Sequence, residues 1–140
     1  MSIEEENKAI IRRHAEEVFN KGNLAIADEI ISPDYVFHNP VADIKGPDGF
    51  KQMVESLRKA IPDLHYTMND MIAEGDKVVA IATCTGTFTG EYMGIPPTGK
   101  SVNMTQAFLY TLKDGKEVDA VALHDMNVFF QQLGISLPSQ

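Results

Sequence analysis

The stretch PDLHYTMNDMIAEGDKVVAIATCTGTFTGEYMGIPPTGK, residues 62–100, carries the strongest indication of the fold. It contains two strand patterns joined by a tight turn at Gly75-Asp76, and it ends in a loop rich in glycine and proline. The loop carries apolar Tyr92, Met93 and Ile95 between its turn-forming residues. Because a long loop with apolar residues of its own usually packs over another part of the protein, we predict that it covers a pocket.

Helical patterns lie on the N-terminal side of this stretch. Residues 3–21 predict a first helix, with Ser2 and Glu5 as a capping box and Gly22 as a stop. Its apolar stripe consists of Ile3, Ile10, Ile11, His14, Val18 and Phe19. A short helix at residues 24–31, ended by Ser32-Pro33, a strand at 35–39 and a third helix at 47–60 are predicted next.

Strand patterns occupy most of the chain from residue 64 onward. They cover residues 64–69, 77–89, 101–113 and 117–125, and a closing helix or turn is predicted at 126–134. Asp114-Gly115 is a strong hairpin signal between the last two strands. Helices followed by a meander of antiparallel strands predict an α+β domain spanning residues 1–140. We expect the N-terminal helices to pack on a strongly curved, mostly antiparallel sheet, which leaves a cone with a pocket at its open end.

Charge and composition exclude several classes of function. The formal net charge is −8 and no basic stripe is present, which argues against nucleic acid and against anionic membranes as partners. No apolar run approaches the roughly 20 residues of a membrane span, and the acidic start MSIEEENK does not resemble a secretory leader. We therefore expect a cytoplasmic protein. Cys84, the only cysteine, is read as a small core residue.

The polar motifs indicate a pocket without metal or cofactor. The four histidines are scattered and form neither HxH nor HExxH. The chain contains no GxSxG elbow and no GxxxxGK[ST] phosphate loop. Any chemistry must then come from a few polar side chains in an otherwise apolar pocket.

Gln106 is the first candidate for such a side chain. It lies on the predicted strand face formed by Val102, Met104, Gln106, Phe108, Tyr110 and Leu112. An amide on an otherwise apolar face must find partners or a ligand. The alternative is a structural hydrogen bond to a neighbouring strand or loop.

Asp125 is the second candidate. If the last strand is regular, Asp125 points the same way as Val121 and Leu123, and His124 points to the opposite face. A carboxylate near an apolar interior has a raised pKa and becomes a usable general acid or base. The alternative is that Asp125 caps the closing helix. His124 is read as a helix-packing or interface residue, with a pocket role as the alternative.

Asn39 is the third candidate. Tyr35, Phe37 and Asn39 share a strand face, and His38 lies opposite unless Pro40 bends the chain and brings it to the pocket. The alternative for Asn39 is an Asn-Pro turn.

Several of these segments together resemble the SnoaL-like polyketide cyclases, or ester cyclases, of the nuclear-transport-factor-2-like superfamily of cone-shaped α+β barrels. They are AIPDLHYTMNDMIAEGDKVVA, TGTFTGEYMGIPPTGK, the DGKEV turn and the tail LHDMNVFFQQLG, which occur in the family's order. With YVFHNP near the start, the resemblance covers almost the whole chain. The chain departs from many members in having no tryptophan.

The resemblance implies an activity and a site. Characterised members close a ring of a polyketide precursor by intramolecular aldol condensation without metal or cofactor. The family's acid/base Asp near the end of the last strand matches Asp125, and its pocket Asn matches Asn39. Asn39 also stands where related ketosteroid isomerases place a base, but an amide cannot take the proton. A polar residue of the fourth strand matches Gln106 approximately.

We therefore expect an acid/base enzyme for a small apolar carbonyl-containing ligand, with Asp125 as the catalytic group. The predicted substrate-binding residues are Asn39, Gln106, His38, Phe37, Met104, Phe108, Tyr66, Tyr92 and Met93. The alternatives are a non-catalytic small-molecule-binding or dimerisation module, or a related isomerase, dehydratase or hydrolase on the same fold. The resemblance also implies a homodimer through the open sheet face, to which Val79, Ile81 and Thr83, or the residues of opposite parity, would contribute.

Overall fold

The computed structural model describes residues 2–39 and 42–136. The helices are α1 (Ile3–Arg13), continued by a π-helical segment (His14–Asn20), α2 (Ala25–Ile30), α3 (Gly46–Ala60) and α4 (Asn127–Gln132). The strands are β1 (Ile31–His38), β2 (Ile44–Lys45), β3 (His65–Glu74), β4 (Lys77–Thr87), β5 (Ser101–Lys113) and β6 (Lys116–Ala122). The predicted bend at Pro40 lies outside the described residues.

One six-stranded sheet organises the molecule, in the order β2-β1-β6-β5-β4-β3. The pairing of β1 with β6 is parallel, and the other neighbours are antiparallel. The helices cover one face, so the predicted α+β architecture is confirmed. Buried residues alternate along β4 as Val78, Ala80, Ala82 and Cys84, which marks the face turned toward the helices.

The first helix is capped as its sequence predicts but does not stay regular. The Ser2 hydroxyl accepts a hydrogen bond from the Glu5 N–H at 3.1 Å. From His14 to Asn20 the helix widens into a π-helical segment, in which His14, Val18 and Phe19 are buried. The predicted apolar stripe is therefore largely correct, although a uniform 3.6-residue period does not describe its last turns.

Strand β1 begins earlier than the sequence predicts. Ser32-Pro33 was expected to end a helix, whereas the strand starts at Ile31, which pairs with Glu117 of β6. The register shifts between Ile31 and Val36, and Pro33 is exposed there. A missing N–H at an irregular position costs little, which is why proline is tolerated.

Two polar side chains fasten the end of the π-helical segment to its neighbours. The Asn20 amide donates to the Tyr66 carbonyl at 2.9 Å and accepts from the Tyr66 N–H at 2.7 Å. Arg58 of α3 donates to the carbonyls of Phe19 and Asn20 at 2.6 and 3.0 Å. These bonds satisfy carbonyls at a helix end and hold Phe19 and Tyr66 in place.

Cys84 lies in the core, as predicted. Burial raises the pKa of its thiol to about 11, and a hydrogen bond with Tyr66 lowers it only in part. Because the thiolate is the nucleophilic form, the protonated thiol is unreactive at neutral pH.

Among the helices of residues 2–39 and 42–136, none is both long and apolar enough to cross a membrane.

Candidate functional site

A cavity opens between the helices and the inner face of the sheet. Its interior space for water-sized molecules is about 90 Å³, and the empty space counted together with the solvent at its mouth is about 860 Å³. Side chains from the π-helical segment, β1, α3, β3 and β5 form its walls. Most of these side chains are apolar or aromatic, so the few polar groups among them govern what the cavity can do.

Gln106 lies in the cavity wall, as predicted. The residue is only 4% exposed. Its Nε2 lies 3.6 Å from the Met104 sulfur, a weak acceptor, and no described residue is bonded to its Oε1. The expected alternative, a structural hydrogen bond to a neighbouring strand, is therefore not seen. Among the described residues, the amide therefore uses little of its hydrogen-bonding capacity.

Four more predicted binding residues line the same cavity. Asn39 follows β1 and is half-buried, and the rings of Phe37 and Phe108 meet edge-on with centroids 6.2 Å apart. Tyr66 approaches from β3, where its ring packs edge-on against Phe19 at 5.2 Å. The shared face predicted for Phe37 and Asn39 is correct.

The loop after β4 covers part of the cavity, but only one of its two predicted residues lines it. Tyr92 does, and its ring lies 6.2 Å from that of Phe130. Met93 is 78% exposed and points away. Tyr92 and Ile95 exchange backbone hydrogen bonds around a turn in which Met93 and Gly94 both have positive φ. A turn of this kind sends the side chain at its tip outward.

His38 and Met104 lie outside the cavity lining, contrary to the prediction that they bind substrate. His38 is on the outer side of β1, where its Nε2 lies 2.8 Å from Asp119 Oδ1 and its Nδ1 lies 3.8 Å from Asp43 Oδ1. Strand alternation places it opposite Phe37. Met104 is half-buried, and its sulfur lies 3.6 Å from the Gln106 Nε2.

Asp125 does not point into the interior. Asp125 is exposed and is not among the residues that line the cavity. Its Oδ1 accepts a hydrogen bond from the Asn127 N–H at 2.9 Å. Strand β6 ends at Ala122, so strand parity does not extend to residue 125. The carboxylate instead orders the turn that leads into α4, which is the alternative that the sequence left open.

His124 faces the cavity, contrary to its expected orientation. Its ring meets that of Phe108 edge-on at 5.0 Å, and its Nδ1 lies 3.1 Å from both the N and the O of Ala107. The end of β6 before this residue again explains the error, because both predictions extended one strand three residues too far.

A buried pair of ionisable side chains was missed by sequence reasoning. His14 lines the cavity, and its Nδ1 lies 2.8 Å from Oε2 of Glu117, which is fully buried. The available signal was a histidine in the otherwise apolar stripe of the first helix. Glu117 had no such signal, because it stands at the polar start of a predicted strand.

The tyrosines of the cavity wall keep their protons. Burial is the main cause that raises the pKa of Tyr35 and Tyr110 well above the usual value, and the nearby Glu117 carboxylate raises both further. Burial likewise raises the pKa of Tyr66 and Tyr92. These hydroxyls can donate hydrogen bonds but cannot serve as bases.

Comparison with known proteins connects this cavity to a described family. The family model of the SnoaL-like polyketide cyclases matches residues 9–133. Aklanonic acid methyl ester cyclase DauD of Streptomyces sp. strain C5 is 28% identical over an alignment of 136 positions that covers 93% of this chain and 83% of DauD. Aklanonic acid methyl ester cyclase DnrD of Streptomyces peucetius is 29% identical over 112 residues, which are 79% of this chain and 76% of DnrD.

Solved structures support the same fold. TsrD from Streptomyces laurentii superposes with a TM-score of 0.82 at 24% identity, over 97% of this chain and all of TsrD (100%).

Among residues 2–39 and 42–136, no three His, Cys, Asp or Glu side chains are grouped so that they could hold a metal ion.

Proposed function

Because this chain belongs to the SnoaL-like polyketide cyclase family, we propose that it closes a ring in a small apolar carbonyl compound by intramolecular aldol condensation. The observation that carries the proposal is the Gln106 amide, which is buried in an apolar cavity and holds only a weak contact to sulfur. A buried amide with unused hydrogen bonds costs free energy. A ligand oxygen that accepts from it would recover that cost.

The chemistry needs a proton acceptor and donors for a developing enolate. A carbon between two carbonyls would lose a proton, and the resulting enolate oxygen would accept hydrogen bonds from the amides of Gln106 and Asn39. The enolate carbon would then attack a second carbonyl of the same molecule, and the proton would return to the new alkoxide. General acid/base help is worth about 10²–10⁴ in rate, and each placed donor about 10²–10³.

Asp125 as the acid/base group stays a prediction that its position does not support. Its carboxylate is exposed and bonded to the Asn127 N–H, so it would have to leave that turn to reach a ligand. This observation favours a second candidate function, a module that binds an apolar carbonyl compound without converting it. An isomerase, dehydratase or hydrolase on the same fold would use the same cavity.

Aklanonic acid methyl ester, the compound for which the cyclases DnrD and DauD are named, is the probe that separates these functions. We expect the protein to convert it to a cyclised isomer of unchanged mass, which chromatography resolves from the starting ester. Binding without conversion would favour the non-catalytic module. Full turnover by Asp125→Asn would remove Asp125 from the mechanism.

Replacing Gln106 with methionine tests the proposed donor. We expect turnover to fall about 10²–10³-fold while the free energy of unfolding stays equal or rises, because an apolar side chain of similar shape replaces a buried polar group with few partners. Gln52→Met on the exposed side of α3 is the matched control and should change neither quantity. An active Gln106→Met variant would show that the amide is not needed for the reaction.

We also propose a homodimer formed through the outer sheet face. The half-buried side chains of Val79, Ile81 and Thr83 share that face of β4, next to Leu109 and Ala107 of β5. Multi-angle light scattering should give twice the mass of one chain, and Ile81→Lys should halve it. A monomeric mass for the unaltered protein at working concentration would refute the dimer.

A further inference from the structure

His14, in the wall of the cavity, is paired with the buried carboxylate of Glu117. His14 Nδ1 and Glu117 Oε2 are 2.8 Å apart, and the two side chains are 9% and 0% exposed. Glu117 Oε1 has no hydrogen-bond partner among the described residues. Burying a carboxylate costs free energy that one hydrogen-bonded partner offsets only in part. Such a pair in the wall of a cavity is therefore a candidate for function.

Two local departures from regular structure bring the pair together. The π-helical segment begins at His14, and segments of this kind are frequent at functional sites. In β6 the pairing partners jump from Glu117 opposite Leu112 to Asp119 opposite Thr111, which marks a bulge at Val118. A bulge reverses strand parity, so Glu117 and Ala120 both face inward.

The contacts of His14 determine which ring nitrogen is available. A carboxylate accepts hydrogen bonds, so Glu117 favours the tautomer of His14 that carries its proton on Nδ1. The ring is held by Phe19, stacked at 5.2 Å, and by the edge-on contacts of Phe50 at 5.1 Å and Tyr110 at 5.4 Å. No described residue is bonded to Nε2, at the opposite edge of the ring, and His14 lines the cavity.

The other polar groups of the wall are poor proton acceptors. The amides of Gln106 and Asn39 do not take a proton near neutral pH, and Tyr35 and Tyr110 are already protonated because burial raises their pKa. In His124 the Nδ1 accepts from the Ala107 N–H at 3.1 Å. The neutral ring in this tautomer carries its proton on Nε2, which is then a donor. This leaves Nε2 of His14 as the acceptor that is held in one orientation and has no partner among residues 2–39 and 42–136.

We propose that His14, oriented by Glu117, takes and returns the proton of the reaction in this cavity. The inference rests on the proposed function. The Nε2 lone pair removes a proton from the carbon between two carbonyls. The electron pair of the broken C–H bond stays on the substrate and is delocalised onto a carbonyl oxygen, which gives the enolate. The enolate carbon bonds to the second carbonyl carbon, whose π pair moves onto oxygen. The imidazolium then returns its proton to that alkoxide, so the product is an isomer and both side chains are regenerated.

Turnover of aklanonic acid methyl ester by single and double variants tests the assignment. We expect His14→Gln to lower kcat about 10²–10⁴-fold and Glu117→Gln to lower it by less, with both proteins folded by circular dichroism. The double variant should be no slower than His14→Gln, since the two groups act as one unit. His65→Gln and Glu74→Gln, at exposed positions of β3, are matched controls that should retain the full rate. A folded His14→Gln protein with full turnover would overturn the inference and leave the proposed function standing.

Long-range ¹H–¹⁵N NMR of the histidine rings tests, in the absence of substrate, whether Glu117 orients His14. The neutral form of His14 should carry its proton on Nδ1 in the unaltered protein and shift toward the Nε2–H form in Glu117→Gln. If the unaltered protein does not convert the ester but shows the Nδ1–H form, the substrate assignment fails and the orientation by Glu117 is supported. An Nε2–H form of His14 in the unaltered protein would overturn the inference whether or not the ester is converted.

Discussion

Replacing Phe50 with alanine is expected to lower the free energy of unfolding by about 3–5 kcal/mol. Phe50 of α3 is 0% exposed, and its ring contacts three other rings edge-on, His14 at 5.1 Å and Phe19 and Tyr35 at 5.8 Å. The space left by the ring cannot close easily, because the same three rings also form the wall of an open cavity. Urea unfolding followed by far-UV circular dichroism measures the loss.

Two further variants separate the loss of this ring from a general effect of mutation. Ile72→Ala, at a side chain that is 60% exposed, should change the stability by no more than about 0.5 kcal/mol. Phe50→Leu should lie between the two, since it keeps part of the buried volume. If Phe50→Ala is as stable as Ile72→Ala, α3 does not pack behind His14 as described.

The regular elements were predictable because their periodicity is set by burial on one side. Strand β5 was predicted with the bounds that the structure has, and the face that carries Gln106 is turned inward throughout. Helix α3 was predicted to within one residue, and its buried face includes Phe50 and Val54. In each element one period of apolar residues, that of a strand in β5 and that of a helix in α3, continues from end to end. The pattern of a single sequence is therefore sufficient to predict the element.

The errors occur where the backbone leaves a regular period. Asp125 and His124 were given orientations by extending β6 beyond Ala122, where the strand ends. Glu117 went unnoticed because it stands at the polar start of the predicted strand, and the bulge at Val118, which turns Ala120 inward, has no reliable signature in one sequence. The sequence pattern also gives no indication that the first helix widens at His14.

This contrast explains which part of the site sequence reasoning could reach. Gln106, Phe37 and Phe108 lie on regular strands, and their place in the cavity follows from alternation. The pair of His14 and Glu117 joins residues 103 positions apart through two irregularities, so no local pattern relates them. Local departures from the rules of regular structure are expected at functional sites, and these two meet at one wall of the cavity.

The loop that carries Tyr92 depends on a close approach of two backbone segments. The Thr89 and Gly90 N–H groups both donate to the carbonyl of Ala60, at 3.0 and 2.9 Å, where α3 ends. A Cβ built on Gly90 would overlap the Lys59 carbonyl oxygen and would lie 3.1 Å from the Lys59 carbonyl carbon. Since the obstruction is backbone, no side-chain rotation can relieve it.

We therefore expect Gly90→Ala to lower the free energy of unfolding by about 3 kcal/mol, the upper end of the range for overpacked sites. The substitution should also loosen the loop and expose Tyr92, which iodide quenching of tyrosine fluorescence can detect because the chain has no tryptophan. Turnover of the ester should fall as well, since the loop would no longer exclude water from the cavity.

Gly49→Ala is the control of opposite sign. Gly49 lies within α3, and a Cβ there would meet the Ile44 Cγ2 at an ordinary 3.5 Å. Alanine in a helix is favoured over glycine, so this variant should gain about 0.5–1 kcal/mol. Equal stability of the two alanine variants would mean that the loop does not dock on the end of α3. Tyr92 would then have no fixed position over the cavity, and the covering role of the loop would fail with it.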